Sequence, residues 1–328
     1  MCETILLNVE RLKKYFPVRK GLLGRIYIKA VDGVDLILRK GEAISIVGES
    51  GCGKTTLGKT VLRLYEPTDG KIIFEGKDIT YLKSKKLKWY SRETGLVQQD
   101  PFGALPPFMT IRGILEEPLI IHGVKDRSVR EERIHKALEQ VRLTPIEDFI
   151  GKYPHMLSGG QQQRLVIARA IILEPKLIIA DEPVSMLDAS VRIEILKLLQ
   201  DIQRKYDLSI IYITHDISTT RYFSERIYIM YAGHIIEHAD TKEILTNPSH
   251  PYTKALLNVI PDPDPSNRFI IKDVPLGEPP DLINPPIGCR FNPRCASFMK
   301  GICDAKEPVS LELNKDHYVK CWLYEKAG

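Results

Sequence analysis

Residues 43–56 read AISIVGESGCGKTT, and this stretch decides the fold. Ala43 to Val47 form an apolar run rich in Ile and Val, the pattern of a strand buried on both faces. Gly48, Gly53, Lys54 and Thr55 then satisfy G-x-x-x-x-G-K-[ST], and a helical stretch follows from Lys54 to Leu64. A strand before and a helix after turn a pattern match into a phosphate-binding loop. Glycines let the backbone N–H groups of the loop, from Gly48 through Ser50, Gly51, Cys52 and Gly53 to Thr56, point inward around β- and γ-phosphates. The start of the helix adds its positive end, Lys54 a mobile cation, and the Thr55 hydroxyl suits Mg²⁺. A glycine turn with an incidental lysine is the bland alternative, and the flanking elements argue against it.

Working outward, similar apolar runs recur at Gly95 to Val97, Leu177 to Ala180 and Ser209 to Thr214. They predict a parallel sheet. Between them, Ser190 to Tyr206 carries Ile193, Leu196, Leu199 and Ile202 at three-residue steps, as one apolar helix face requires. The alternation reads as α/β. Lys71 to Ile79 and Arg226 to Ala239 look like antiparallel ribbons. From about residue 101 to 157 the character is helical, which predicts an inserted helical subdomain. After about Thr246 prolines multiply, marking a linker and a small, loop-rich tail. The expected division is a nucleotide-binding domain over 1–250 and an extension over 251–328.

Polar groups close several of the predicted strands at one edge of the sheet, where ligands of α/β folds bind. Asp181 ends LIIAD and is expected to hold Mg²⁺ through water, together with Thr55. Glu182 follows and can orient or deprotonate an attacking water. Gln99 is a further candidate for the metal or the water, and His215 for the γ-phosphate. Each alone is weak, since such residues usually cap a helix or meet solvent; their coincidence is the signal. LSGGQQQRLVIARA, Leu157 to Ala170, settles the class, because Ser158, Gly159 and Gly160 open a second helix with N–H groups able to bind phosphate. One nucleotide cannot occupy both starts in a single protomer if they lie on different faces. Two protomers packed head to tail, each Ser-Gly-Gly turn closing over the nucleotide of the other, would use both.

Composition agrees. Of 328 residues 43% are hydrophobic and 27% charged, which excludes disordered and fibrous classes. No run approaches the roughly 20 apolar residues of a membrane span, and the first residues lack a secretory pattern. A cytosolic chain, tethered to a membrane only by partners, is expected. The net charge of +5, with one dense patch at Lys83 to Lys88, is a solvated face rather than a nucleic-acid surface.

With these residues in hand the chain resembles the ATP-binding subunits of ABC transporters. The resemblance implies a P-loop NTPase with a RecA-like parallel-sheet core, an antiparallel β subdomain, an inserted helical subdomain and a small Cys-containing C-terminal tail. It makes Gly48 to Thr55 the Walker A loop, Gln99 the Q-loop glutamine, Ser158 to Gln161 the signature and Asp181 and Glu182 the Walker B acid and catalytic base. Asp188 matches the D-loop and His215 the switch histidine. Phe16 is the expected adenine-stacking aromatic, with Tyr15 as the alternative. HPYTKALLNVIPDPDP, LGEPP, GCRFNPRC and HYVKCW are similar to the tail of the oligopeptide and dipeptide importer branch. That branch implies ATP and Mg²⁺, a second ATPase subunit (a heterodimer, or else a homodimer), two membrane permease subunits and, indirectly, an external solute-binding protein. Its members work at the cytoplasmic face of the cell membrane, and relatives with this tail also carry oligosaccharides or nickel. Two departures stand out, ALPPF at 104–108 and Met156 before the signature, and they bear on docking to the permeases.

Cys289, Cys295, Cys303 and Cys321 are separated by 5, 7 and 17 residues, wider than zinc knuckles. Four such thiols can bind an iron–sulfur cluster, and the resemblance suggests a [4Fe–4S] centre; Zn²⁺, free thiols or a disulfide are the alternatives. Cys52 and Cys2 are expected to be incidental. The main rival function is a soluble ABC ATPase of repair, translation or cluster assembly. Repair enzymes insert a long coiled coil where only residues 100–157 stand here, and translation factors carry two cassettes per chain. A module that senses ATP without hydrolysing it is disfavoured by Glu182 and His215.

Overall fold

The computed structural model describes residues 4–20, 24–259 and 277–325, so Cys2 and most of the proline-rich linker lie outside the described residues. In chain order the strands are β1 (Ile5–Lys20), β2 (Gly24–Arg39), β3 (Ala43–Val47), β4 (Asp69–Phe74), β5 (Lys77–Asp78), β6 (Thr94–Val97), β7 (Leu177–Asp181), β8 (Ser209–Thr214), β9 (Arg226–Tyr231), β10 (His234–Asp240), β11 (Leu311–Asn314) and β12 (His317–Val319). The helices are α1 (Lys54–Val61), α2 (Ser84–Arg92), α3 (Pro101–Ala104), α4 (Ile111–Ile121), α5 (Arg127–Gln140), α6 (Glu147–Ile150), α7 (Gly159–Ile171), α8 (Ala189–Tyr206), α9 (Ile217–Thr220), α10 (Thr241–Thr246) and α11 (Pro251–Asn258). The described chain divides into two compact units, one comprising Leu82–Tyr212 with Arg39–Ala43, the other Ile5–Leu38, Ile44–Tyr81 and the chain from Ile213 onward.

In the first unit β6 and β7 pair in parallel, Gly95 opposite Ile178 and Val97 opposite Ala180. β7 is buried along its whole length, as its run of Leu, Ile and Ala predicts. The expected helical insert is present as α3 to α6. The Thr110 hydroxyl at the start of α4 accepts from the Gly113 N–H at 3.2 Å, and the Asp126 carboxylate at the start of α5 from Ser128 at 2.8 Å; such caps satisfy donors that a helix start leaves orphaned. α8 corrects one expectation. Ile195, Leu196, Leu198, Leu199 and Ile202 are buried, but Ile193 is 57% exposed, because the apolar stripe begins a half-turn later than the three-residue series implies.

In the second unit β3 and β9 pair in parallel, and β10, β12 and β11 continue the sheet as antiparallel neighbours. The two expected ribbons appear as β4–β5 and β9–β10. A separate sheet runs β2-β1-β4-β5. Its two long strands were not expected from Ile/Val runs; β2 is carried instead by alternation, with Val34, Leu36 and Leu38 buried between exposed Asp35 and Ile37. One face in the core and one in solvent suits an antiparallel sheet. The tail is not a loose appendage. Tyr252 and Phe291 are buried in one core with Val47, Ile229 and Tyr231. The fully buried carboxylate of Glu237 on β10 accepts hydrogen bonds from the backbone of Ser249 (2.6 Å) and His250 (3.0 Å) and lies 2.8 Å from Nε2 of His317. A buried charge of this kind is tolerable because donors surround it.

Candidate nucleotide site

The loop after β3 needs its glycines for different reasons. A Cβ at Gly48 would lie 2.1 Å from the carbonyl oxygen of Met230, and one at Gly53 2.0 Å from that of Ala30. Both are excluded by backbone, which cannot step aside. Gly53 also sits at φ +108°, a left-handed conformation that it adopts without the Cβ penalty. Having no side chain, Gly53 opens α1 without capping it, and α1 begins with its N–H groups facing the loop.

Lys54 is buried, and its ammonium donates to the carbonyl oxygens of Gly48 at 2.7 Å and Glu49 at 2.9 Å. The cation is held inside the concavity of its own loop. Cys52, expected to be incidental, is also buried and receives a weak contact from Lys54 at 3.8 Å. Burial pushes its thiol pKa up despite the nearby Lys54 charge.

Asp181 is buried at the end of β7, and Glu182 is half-buried at φ +46°. The Gln99 side-chain amide donates to the Glu182 carboxylate at 3.1 Å, so two residues singled out separately in the sequence meet in the first unit. Ser158 caps α7 by a reciprocal box with Gln161: the Gln161 N–H donates to the Ser158 hydroxyl at 3.3 Å, and the Ser158 N–H to the Gln161 side-chain oxygen at 3.0 Å. Gly160 faces Val191 of α8, where a Cβ would come within 2.8 Å of a methyl group. Asp188 is the exposed residue that precedes α8, and His215 is exposed just after β8.

Around the candidate adenine aromatics, Phe16 is half-buried, meets Tyr65 edge-on at 5.4 Å and carries the Lys14 ammonium 4.9 Å from its ring. Tyr15 is engaged otherwise, donating its hydroxyl to Asp32, which also pairs with Arg290. Burial, then Asp32, push the Tyr15 hydroxyl pKa well up. Burial opposes the charged form of Asp32, yet hydrogen bonds from His234 and Tyr15, with Arg290 beside it, hold its carboxyl well below the usual range.

The tail cysteines stand near one another. Burial, reinforced by the other thiols, pushes Cys289 up to about 12 and Cys321 up to about 11. Among the described residues, however, no group of three or more His, Cys, Asp or Glu side chains is placed to hold a metal ion. The thiols have the right chemistry for a cluster, but this arrangement does not present them as ligands. Thr55, Gln99 and Asp181, the residues expected to hold Mg²⁺, each carry an oxygen donor of the hard kind that the ion takes.

Sequence reasoning missed Asp32, Glu49, Tyr252, Arg290 and Arg294, which tie the tail to the loops of the second unit. The GCR and NPR triplets of the tail carried the only local signal, arginines beside cysteines in a stretch otherwise read as a small, loop-rich tail.

Residues 31–185 match the family described as ABC transporter, and residues 236–303 that described as Oligopeptide/dipeptide transporter, C-terminal region. The chain is 44% identical over 330 residues to the oligopeptide transport ATP-binding protein AppF of Bacillus subtilis (strain 168), covering 98% of each. It is 44% identical over 294 residues to the dipeptide transport ATP-binding protein DppF of Haemophilus influenzae, covering 89% of each. Among solved structures, the ATP-binding cassette MJ0796, in a dimeric post-hydrolysis state bound to ADP and Pi, is similar at 30% identity and a TM-score of 0.64, over 72% of this chain and 99% of that one. The protein is therefore an ABC ATPase. Within that class the chain belongs to the transporter ATP-binding subunits that carry the oligopeptide/dipeptide-type C-terminal region.

Proposed function

We propose that this chain hydrolyses ATP to power import of dipeptides or oligopeptides, with 1–250 as the nucleotide-binding domain and 251–328 as the branch-specific extension. The observation that carries the reading is the loop of Gly48 to Thr56, where backbone leaves no room for a side chain at Gly48 or Gly53 and the buried Lys54 already binds inside the loop. In this reading Gly48, Ser50, Gly51, Cys52, Gly53, Lys54, Thr55 and Thr56 hold the phosphates and Phe16, or Tyr15, the adenine. Thr55, Gln99 and Asp181 hold Mg²⁺, which when bound neutralises and orients the phosphates.

Glu182, fixed by Gln99, orients a water and takes its proton as the water oxygen bonds to the γ-phosphorus. The bond from that phosphorus to the β,γ-bridging oxygen breaks, leaving ADP and phosphate, and His215 steadies the γ-phosphate. Ser158 to Gln161 and Asp188 serve the nucleotide on a second ATPase subunit. A related but different chain is favoured as that subunit over a second copy, on the strength of the resemblance to branch members alone.

No helix among the described residues is long and apolar enough to cross a membrane, so transport would rest on two permease subunits, with the chain at the cytoplasmic face and an external binding protein feeding them. A groove of about 320 Å³ in the first unit, lined by residues including Gln98, Glu117, Ile121 and Arg169, supports permease docking there. Exposed Phe108 and Met156, at the two departures from the branch pattern, would tune that contact. For the tail, a [4Fe–4S] cluster on Cys289, Cys295, Cys303 and Cys321, or Zn²⁺ in its place, is supported by the closeness of the thiols and opposed by their present arrangement. Iron, sulfide and zinc analysis of anaerobically purified protein decides it.

The function itself is tested by purifying the tagged chain from its native membrane and identifying every co-purifying protein. The expected set is two permeases and a second ATPase, with receptor-bound peptide stimulating turnover. Stimulation by oligosaccharide or nickel instead would reassign the cargo. Turnover with no permease attached would favour a soluble role.

A further inference from the structure

Glu49 is the single acidic residue in the stretch Gly48 to Thr56, and every polar group it owns is taken. Its carbonyl oxygen accepts from Lys54 at 2.9 Å. Its N–H donates to the hydroxyl of Tyr252 on α11 at 2.9 Å. Its carboxylate receives both terminal nitrogens of Arg294, at 2.8 and 3.2 Å, a two-pronged arrangement that fixes orientation as well as charge. Arg294 is 8% exposed and also donates to the Tyr231 hydroxyl at 3.3 Å; burial disfavours its charge, but the hydrogen bonds to Glu49 and Tyr231 keep it firmly protonated. Tyr252 is buried against Tyr231 and Phe291. The two tail residues that grip Glu49 are thus themselves immobilised by packing.

A carboxylate within a loop that binds a polyphosphate is a liability, because like charges repel most strongly where water is sparse. We propose that Arg294 and Tyr252 of the C-terminal extension are positioning residues for the phosphate-binding loop: Arg294 cancels and aims the Glu49 carboxylate, and Tyr252 pins the Glu49 backbone. The extension is then a working part of the nucleotide site. This rests on the reading that the loop binds ATP and adds a role for residues more than 200 positions away.

The test is MgATP affinity of the full-length chain, measured by titration at two salt concentrations. Arg294→Gln, which keeps the bulk but removes the charge, is expected to weaken affinity about tenfold at low salt, less at high salt where Coulomb repulsion is screened. Adding Glu49→Gln to that variant should restore affinity to within about threefold, since no charge is left to cancel. Tyr252→Phe, which keeps the ring in its core, should cost about threefold, and it carries the test if the arginine variants do not fold. Unchanged affinity in Arg294→Gln and Tyr252→Phe overturns the proposal. So does a loss that Glu49→Gln fails to rescue, the signature of a tail that merely holds the fold together. If the unsubstituted chain does not bind MgATP, the nucleotide-site reading falls and this proposal falls with it.

Discussion

The two glycine-rich helix starts of this molecule solve opposite problems. α1 opens on Gly53, which has no side chain to cap it, in a left-handed conformation wedged against the backbone of Ala30. α7 opens on Ser158, which closes a reciprocal capping box with Gln161. One start leaves its amides to the concavity of its own loop and depends on surrounding structure to stay in place. The other satisfies itself and stands at the surface. A site that must envelop its ligand is built by exclusion of side chains; a surface that must meet a ligand held elsewhere is built to be stable alone.

The comparison breaks first on turnover. Lys54→Ala should reduce ATP hydrolysis and binding to background, whereas Glu182→Gln should lower hydrolysis by about 10²–10³-fold while ATP still binds and a dimer accumulates; ATPase assays with gel filtration in ATP separate the two outcomes. Ordinary turnover in either would contradict the assignment.

Acid should loosen the surroundings of α1 before those of α7. His238 lies stacked between Tyr228 and Tyr318 at 4.8 and 4.7 Å, in the same unit as α1. Burial, with Arg226 and His317 nearby and only Asp316 opposing, depresses its pKa to about 4. The unfolded chain, with an ordinary value near 6.5, then binds more protons, so the stabilisation is whole above about pH 6.5 and is lost as pH falls toward 4. At pH 5 the loss is on the order of 2 kcal/mol. Hydrogen exchange at pH 7.5 and 5 should show β9 and β10 losing protection while α7 keeps it.

Alanine at the two starts sharpens the contrast. Gly53→Ala should destabilise by about 2 kcal/mol, from the strained φ and the clash with Ala30. Gly159→Ala, whose Cβ meets only Leu187 at an ordinary 3.7 Å, should leave the melting temperature level or higher. Ser158→Ala falls between these two, with an expected cost of about 1 kcal/mol from the lost cap, read by thermal melts.

What could be seen in the sequence was local. The loop at Gly48 to Thr56 and the Ser-Gly-Gly turn declare themselves because each need is met by neighbours in the chain. β3, β7 and β8 were visible as apolar runs, since strands buried on both faces leave little else to read. β1 and β2 were not, because neither carries an unbroken Ile/Val run: polar residues such as Asn8 and Glu10 in β1 and Asp35 in β2 interrupt the buried ones. Arg294 and Tyr252 were invisible for a different reason: their partner, Glu49, stands 245 and 203 residues away, and a single sequence holds no trace of such a pairing.

The backbone of Glu182 has one more consequence. At φ +46° the residue occupies a region that costs an ordinary side chain about 1 kcal/mol and glycine nothing. Replacing it by glycine would relax the chain and delete the carboxylate in one stroke. Directed evolution screened for heat resistance alone would therefore be drawn toward a hardier but inert product.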